Sequence, residues 1–391
     1  PESARPENLP ALRARLAEFE RVVAERGRLQ AFLDRKLTPL AGSGWAAGVE
    51  ATTALREVVK ATVERIDAIQ RPCAELAQLR SRIAWAENVE QQTVAMHASA
   101  WQRVRAEVLA DDRFDKLDLR PQPGLIPLRR HPKAFLQEFA LQLPGGQMPQ
   151  LDANGNYTIG ANTFPVFVLL PGGTFLSGSQ NQHPDQPRYD PLGFVAESPL
   201  QSIEVPPLFV SEFELTDGQW GLIAPTVSRQ PRPIASTAVA ELDRRQMLPA
   251  LYAWGMRVPT CIEWEHCARG GTETPYWCGA VAASVRGHAN VYDAALRGGR
   301  GEGIPAAWDD GFPTVAPVGV FGHNAFMMYD VHGNIAEVVV RSSREGQPPV
   351  LELRGGSWHQ GPEAARITWK IEWHGQPLPS IGCRPVIDVV P

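Results

Sequence analysis

The sequence predicts an α+β protein in two parts: an N-terminal helical bundle over residues 1–130, then a domain of short strands and long ordered loops over 131–391. Three observations predict it. Apolar residues recur at helical spacing through the first hundred positions. A Pro-rich stretch, LDLRPQPGLIPLRRHPK (117–133), then interrupts the pattern as a linker or strap. Beyond it, Gly, Pro and Trp punctuate apolar runs too short for helices.

In the first part, Leu9, Leu12, Leu16, Phe19, Val22, Val23, Leu29, Leu33 and Leu37 mark one face of a helix, stopped by the Pro and Gly of TPLAGSG (38–44). A second run carries Leu55, Val59, Val63, Ile66 and Ile69 and ends at the Arg71-Pro72 step. A third carries Leu76, Leu79, Ile83, Val89, Val94, Trp101, Val104 and Val108. Stripes of this length predict helices packed antiparallel on one another.

Composition bounds the function. A net charge of -5 over 391 residues leaves no electrostatic footprint for nucleic acid or an anionic membrane. With 43% hydrophobic and 21% charged residues, the chain can bury a large core. Five cysteines without CxxC spacing argue against a disulfide framework or a zinc site and favour a reducing, cytoplasmic setting. No run of about 18 apolar residues suggests a membrane span, and PESARPENLP lacks a secretory pattern.

The second part holds five stretches with local meaning. In LPGGTFLSGS (170–179), Pro171-Gly172-Gly173 permits a tight turn between apolar strands, and FVSEFELTDGQW (209–220) begins as another strand. In MRVPTCIEWEHCARGG (256–271), Thr260 and Glu263 form a capping box; Cys261, Trp264, Cys267 and Ala268 share the buried face; Gly270-Gly271 ends the helix. The cysteines there read as small core residues rather than a redox pair. NAFMMYDVHGNIAEV (324–338) and LRGGSW…IGCRP (353–385) complete the series.

In that order, these stretches resemble the formylglycine-generating-enzyme/sulfatase-modifying-factor domain, a variant of the C-type lectin fold. The resemblance implies no required cofactor, and it allows a structural calcium ion with Asn334 and Glu337 as oxygen ligands, although Ala336 and Val338 replace the family's aromatic residues. His332 reads as a packing or hydrogen-bonding residue. Formylglycine synthesis in the family depends on a reactive cysteine pair just past the GGSW turn. Residues 359–380 contain no cysteine, and Cys383 stands where the family places an aromatic residue in a buried strand, so the resemblance does not extend to that activity. Sulfoxide synthases of the same superfamily bind iron through histidines and a carboxylate; His97 and His131 lack the HxxxHxE spacing. The alternative reading is a metal-dependent oxidase of this superfamily with a displaced active site; His359 and His374 with Glu363 or Glu372 would form a metal site only by accident of folding.

The main reading is a non-catalytic ligand-binding protein. Arg354, Gly355, Gly356, Ser357, Trp358, Pro362, Arg366, Ile381, Gly382 and Arg384 keep the family's framework spacing. Between them, His359, Gln360, Gly361, Ile367, Trp369, Ile371, Trp373, His374 and Gly375 are expected to form the binding face. The arrangement resembles the C-terminal segment (353–385) of variable proteins of diversity-generating retroelements, which implies a protein ligand. Trp358 reads as core, whereas Trp369 and Trp373 stand either on the binding face or against the core.

Overall fold

In a computed structural model, residues 3–37, 71–197, 200–225, 227, 234–296, 301–341 and 349–390 are described. The chain forms two compact units, Glu2–Asn88 and Val89–Pro391. The protein is α+β, with helices first and a strand-rich part after them, as the sequence predicts.

In the first unit, the helix Leu9–Leu37 packs Leu9, Leu12, Leu16 and Phe19 against Leu79 and Ile83 of the helix Arg71–Thr93. Exposed ion pairs join Arg13 to Glu87 at 2.6 Å and Arg80 to Glu20 at 2.8 Å. Position rises along one helix as it falls along the other, so the two run antiparallel. The expected second run (55–69) lies outside the described residues. The Arg71-Pro72 step opens a helix, consistent with the tolerance of proline in a first turn.

The expected third helix breaks. After Thr93 the chain makes a 3-10 turn at Ala95–His97 and resumes as Ala98–Ala110. The Trp101 indole donates to the Thr93 carbonyl at 2.9 Å, and the Thr93 hydroxyl accepts from Gly124 N at 3.0 Å, so the bend is held from both sides. Beyond the bend, Trp101, Val104 and Val108 are buried. The Trp101 ring lies 5.4 Å from Phe139, itself 5.1 Å from Phe209. Residues 89–130, grouped by the sequence with the helices, therefore pack with the strands. Helical periodicity reports that one face is covered and does not name the cover.

The second unit is built on two sheets. Its strands are β1 (Leu125–Arg130), β2 (Gln137–Leu141), β3 (Gln150–Leu151), β4 (Tyr157–Thr158), β5 (Val166–Leu170), β6 (Gly173–Ser177), β7 (Gln201–Val205), β8 (Leu208–Ser211), β9 (Ala336–Arg341), β10 (Val350–Arg354), β11 (Ile371–Glu372), β12 (Ile381–Gly382) and β13 (Val386–Asp388). The first sheet is antiparallel throughout, in the order β1-β2-β5-β8-β13. Every residue of VFVLL in β5 is buried, so its run is continuously apolar instead of alternating. The second sheet has the order β11-β10-β9-β12, with β12 parallel to β9. The pairs β3–β4 and β6–β7 form separate two-stranded sheets.

The helix Cys261–Arg269 forms as its sequence requires. The Thr260 hydroxyl accepts from Glu263 N at 3.2 Å, the Glu263 carboxylate accepts from Thr260 N at 2.7 Å, and Gly270 closes the helix at φ 54°. Thr216 and Gln219 cap the helix Asp217–Ile223 by the same exchange. Arg384 ties the sheets together. Its guanidinium forks onto Glu337 of β9 and donates to the carbonyls of Ser211 (β8), Glu212 and Tyr329. Burial by itself would lower the Arg384 pKa, and the carboxylates Glu337, Glu214 and Asp330 outweigh it.

Candidate functional site

The segment that follows β10 begins on a turn that only glycine fits. Gly355 and Gly356 have φ of 85° and 68°, and a Cβ on them would stand 2.9 Å from the Val331 carbonyl oxygen and 2.8 Å from that of Ala364. The chain then passes through a 3-10 turn, Pro362–Ala365, and reaches Arg366. This side chain is almost wholly buried. It donates to Asp190 at 2.5 Å and to the two oxygens of Glu197 at 3.0 and 3.1 Å. Glu197 also accepts from Ser179 at 2.7 Å and Thr368 at 2.8 Å. Burial by itself would raise the Glu197 carboxyl; Arg366, Ser179 and Thr368 outweigh it and hold it below the ordinary range. One buried cation thus fastens the C-terminal segment to the loop 178–197.

Above this cluster lies a cavity of about 580 Å³. The loop 191–194 forms one wall, Glu302 and Gly303 another, and Gln360, Gly361, Glu363 and Trp369 the rest. Phe194 lies over the Arg366 guanidinium, 5.5 Å from ring centroid to carbon, and is 63% exposed. Glu302 closes the rim: its backbone N donates to the His359 carbonyl at 2.8 Å, its carbonyl accepts from Gly361 N at 2.8 Å, and its carboxylate accepts from the Gln360 amide at 3.1 Å.

The nine positions expected on one face are divided by the fold. Gln360, Gly361 and Trp369 meet at the cavity. Gly361 contributes backbone; a Cβ there would stand 2.4 Å from the Ile304 carbonyl oxygen. His359 is half-buried, its ring edge-on to Trp358 at 5.5 Å. Ile371 and His374 are exposed, with His374 Nδ1 3.8 Å from Glu372. Ile367, Trp373 and Gly375 are buried. Ile367 pairs its N–H with the Pro275 carbonyl, and the Trp373 indole donates to the Gln376 carbonyl at 2.9 Å. Gly375 sits at φ 96°, where a Cβ would stand 2.4 Å from Arg244. These three support the segment rather than line the cavity. Trp358, expected in the core, is half-buried, its indole 3.4 Å from the Pro379 carbonyl.

The loop 191–197 and Glu302 were not anticipated from the sequence. PLGFVAE carried a signal, since Leu192, Phe194 and Val195 are apolar in a loop without periodicity, and all three are exposed. Glu302 has no such mark, because only its pairing with the C-terminal segment brings it there.

Asn334 and Glu337 are buried and their oxygens are spoken for. Asn334 Oδ1 accepts from Ala316 N at 2.8 Å and Asn290 at 3.1 Å, while its amide donates to Glu214. Glu337 accepts the Arg384 fork and the Trp264 indole at 2.7 Å. A carboxylate already neutralised by a guanidinium and an amide oxygen filled by donors do not fit a calcium ion, which needs several free oxygens. Among the described residues, no group of three or more His, Cys, Asp or Glu is placed to hold a metal. His332 is the hydrogen-bonding residue that the sequence suggested. Its Nε2 accepts from Trp277 N at 3.1 Å, so Nδ1 carries the proton given to the Ala365 carbonyl at 2.8 Å. Burial pushes its pKa down to about 3. His131 accepts from Ala134 N at 3.0 Å, and burial lowers its pKa to about 4.

A second, polar cavity of about 170 Å³ adjoins Thr368 and Lys370 and includes Cys261, Glu265 and Arg354. Cys261, expected in the core, is half-buried there. Burial raises its thiol pKa, as it does for the fully buried Cys267 and Cys383 and, to about 11, for Cys278.

Residues 226–389 match the sulfatase-modifying factor enzyme 1-like domain. Over 222 residues the chain is 21% identical to the formylglycine-generating enzyme of Thermomonospora curvata, spanning 44% of this chain and 69% of that protein. Over 85 residues it is 29% identical to the formylglycine-generating enzyme of Mus musculus, spanning 21% of each. Among solved structures, PvdO from Pseudomonas aeruginosa is similar at 21% identity and a TM-score of 0.46, over 57% of this chain and 94% of that one. Treponema denticola variable protein 1 is similar at 15% identity and a TM-score of 0.40, over 57% and 95%. Within the strand-rich part of the chain, residues 226–389 are therefore similar to a sulfatase-modifying factor enzyme 1-like domain.

Proposed function

We propose that this protein is a non-catalytic ligand-binding protein, a variable protein of a diversity-generating retroelement, whose C-terminal segment presents changeable side chains to a protein partner. The carrying observation is the cavity above Arg366, where Gln360 and Trp369 meet Phe194 over a buried ion cluster. A rigid support beneath exposed residues is what a binding face needs, because ordering the face on association then costs little. The support does not depend on the identity of residues 360 or 369, since Arg366, Asp190, Glu197 and Thr368 carry it. The sequences of residues 353–385 in independent isolates test the proposal. Substitutions gathered at Gln360, Trp369, Ile371 and His374, with Gly355, Arg366 and Arg384 constant and a near-copy of the coding DNA beside a reverse transcriptase gene, support it. Invariance at the four positions, or changes spread evenly over the segment, sinks it.

A metal-dependent oxidase with a displaced active site is the second reading, and the polar cavity with its cysteine favours it. Cys261 is a poor candidate for its thiolate, because burial holds the thiol protonated at neutral pH. Alkylation of the native protein decides the thiolate form of this reading. Thiolate chemistry requires Cys261 to react at a rate that saturates by about pH 7, whereas the raised pKa gives slow modification that still climbs above about pH 9.

A further inference from the structure

We propose that the cavity between Phe194 and Trp369 is a socket for a cationic side chain, an arginine or lysine carried by the partner. This rests on the binding-face reading and names the chemistry of what the face takes. Two aromatic residues and two carboxylates, Glu302 and Glu363, line the same space. The one cation among the described lining residues is Arg366, and its charge is already answered by Asp190 and Glu197. Its nitrogens donate to those buried carboxylates and to the Glu363 backbone carbonyl at 3.2 Å, and the Phe194 ring lies over it, so its donors are spent away from the Glu302 and Glu363 carboxylates.

The field in the cavity is therefore negative, with aromatic walls that attract cations through their ring faces. An arginine matches both parts of the lining: its stem and planar head pack on apolar and aromatic surface, and its donors reach carboxylates. A volume of about 580 Å³ has room for one such side chain with accompanying water. An anionic residue would meet both carboxylates without a free countercharge. A purely apolar anchor would bury Glu302 and Glu363 beside it while adding no donor to the Gln360 amide that Glu302 already has, at a desolvation cost.

The test uses the full chain and two probes, N-acetylarginine amide and its neutral isostere N-acetylcitrulline amide. The reporter is the Trp369 indole N–H resonance, assigned by its loss in Trp369→Phe. The arginine derivative should shift that resonance saturably and bind about tenfold more tightly than the citrulline one. The double variant Glu302→Gln, Glu363→Gln should fold as the parent does and bring the two affinities together. Equal binding of citrulline by the parent protein, or undiminished preference for arginine in the double variant, removes the cation from the proposal while leaving the binding face intact. No shift by either probe removes the socket itself. The binding-face reading is decided separately, by where substitutions fall among isolates.

Discussion

Trp369 and Trp373 are four positions apart, and the sequence gives each the same two possibilities. The fold separates them. Trp373 is 4% exposed and spends its indole hydrogen on a backbone carbonyl, so Trp373→Ala should cost about 3 to 5 kcal/mol in a denaturation curve. Trp369 lines the open cavity, and Trp369→Ala should leave the melting temperature within a few degrees of the parent while removing the socket. Loss of Arg366 should be felt as strongly as that of Trp373. Arg366→Met strands Asp190 and Glu197 as buried carboxylates without a countercharge, at about 3 to 5 kcal/mol. Arg366→Lys should recover only part of this, because one ammonium cannot reproduce the fork onto both oxygens of Glu197. Urea titrations of the three proteins rank these outcomes; a Lys variant as stable as the parent would contradict the geometry.

At the level of elements, the signals read best where a local rule is satisfied locally. The capping box at Thr260 and Glu263, the left-handed close at Gly270 and the turn at Gly355-Gly356 all appear as their residues require. Substituting Gly356 by Val should destabilise the C-terminal unit by at least about 1 to 3 kcal/mol, since positive φ penalises a β-branched residue and its Cβ meets Ala364 besides. Loss of the cooperative transition in a thermal melt is the expected extreme result, and an unchanged melting temperature counts against the turn geometry. The interrupted helix at Thr93 reads poorly from sequence. Nothing between Leu76 and Val108 breaks the apolar period, and the bend is made by a tryptophan reaching back eight residues.

For the whole molecule, the junction of the two sheets sets a pH dependence. Asp330 is buried there; burial, reinforced by Glu337, raises its carboxyl to about 7 against hydrogen bonds from Gly319 and Phe321 and the charge of Arg384. Its unfolded value is 3.8, so the folded state holds this proton more tightly, and the associated stability is present below about pH 4 and lost as pH rises through about 7. His332 runs the other way. Its folded pKa of about 3 lies below the unfolded 6.5, so its contribution is present above about 6.5 and lost as pH falls toward 3. Stability should therefore pass through a maximum on the acid side of neutrality. Asp330→Asn should make the alkaline limb shallower, since burial raises Glu212 and Glu214 as well, and leave the acid limb in place. Unfolding midpoints in urea from about pH 4 to about pH 9 check this, and a parallel profile for the variant would contradict it.

The sequence by itself determined the α+β class, the helical start, the Gly355-Gly356 turn and the capped helix before it. Each of these rests on periodicity, on a turn that demands glycine, or on partners three residues apart. Arg366 and Arg384 were legible as framework residues only through the family resemblance, and their carboxylate partners lie as far away in sequence as Asp190 and Glu337. Only the tertiary structure decided that residues 89–130 pack with the sheets, that Ile367, Trp373 and Gly375 are supports, and that Phe194 and Glu302 share a cavity with Trp369. The physical reason is common to all three. In a loop-rich segment, burial is set by which distant strand or loop lies alongside, and no local period records it.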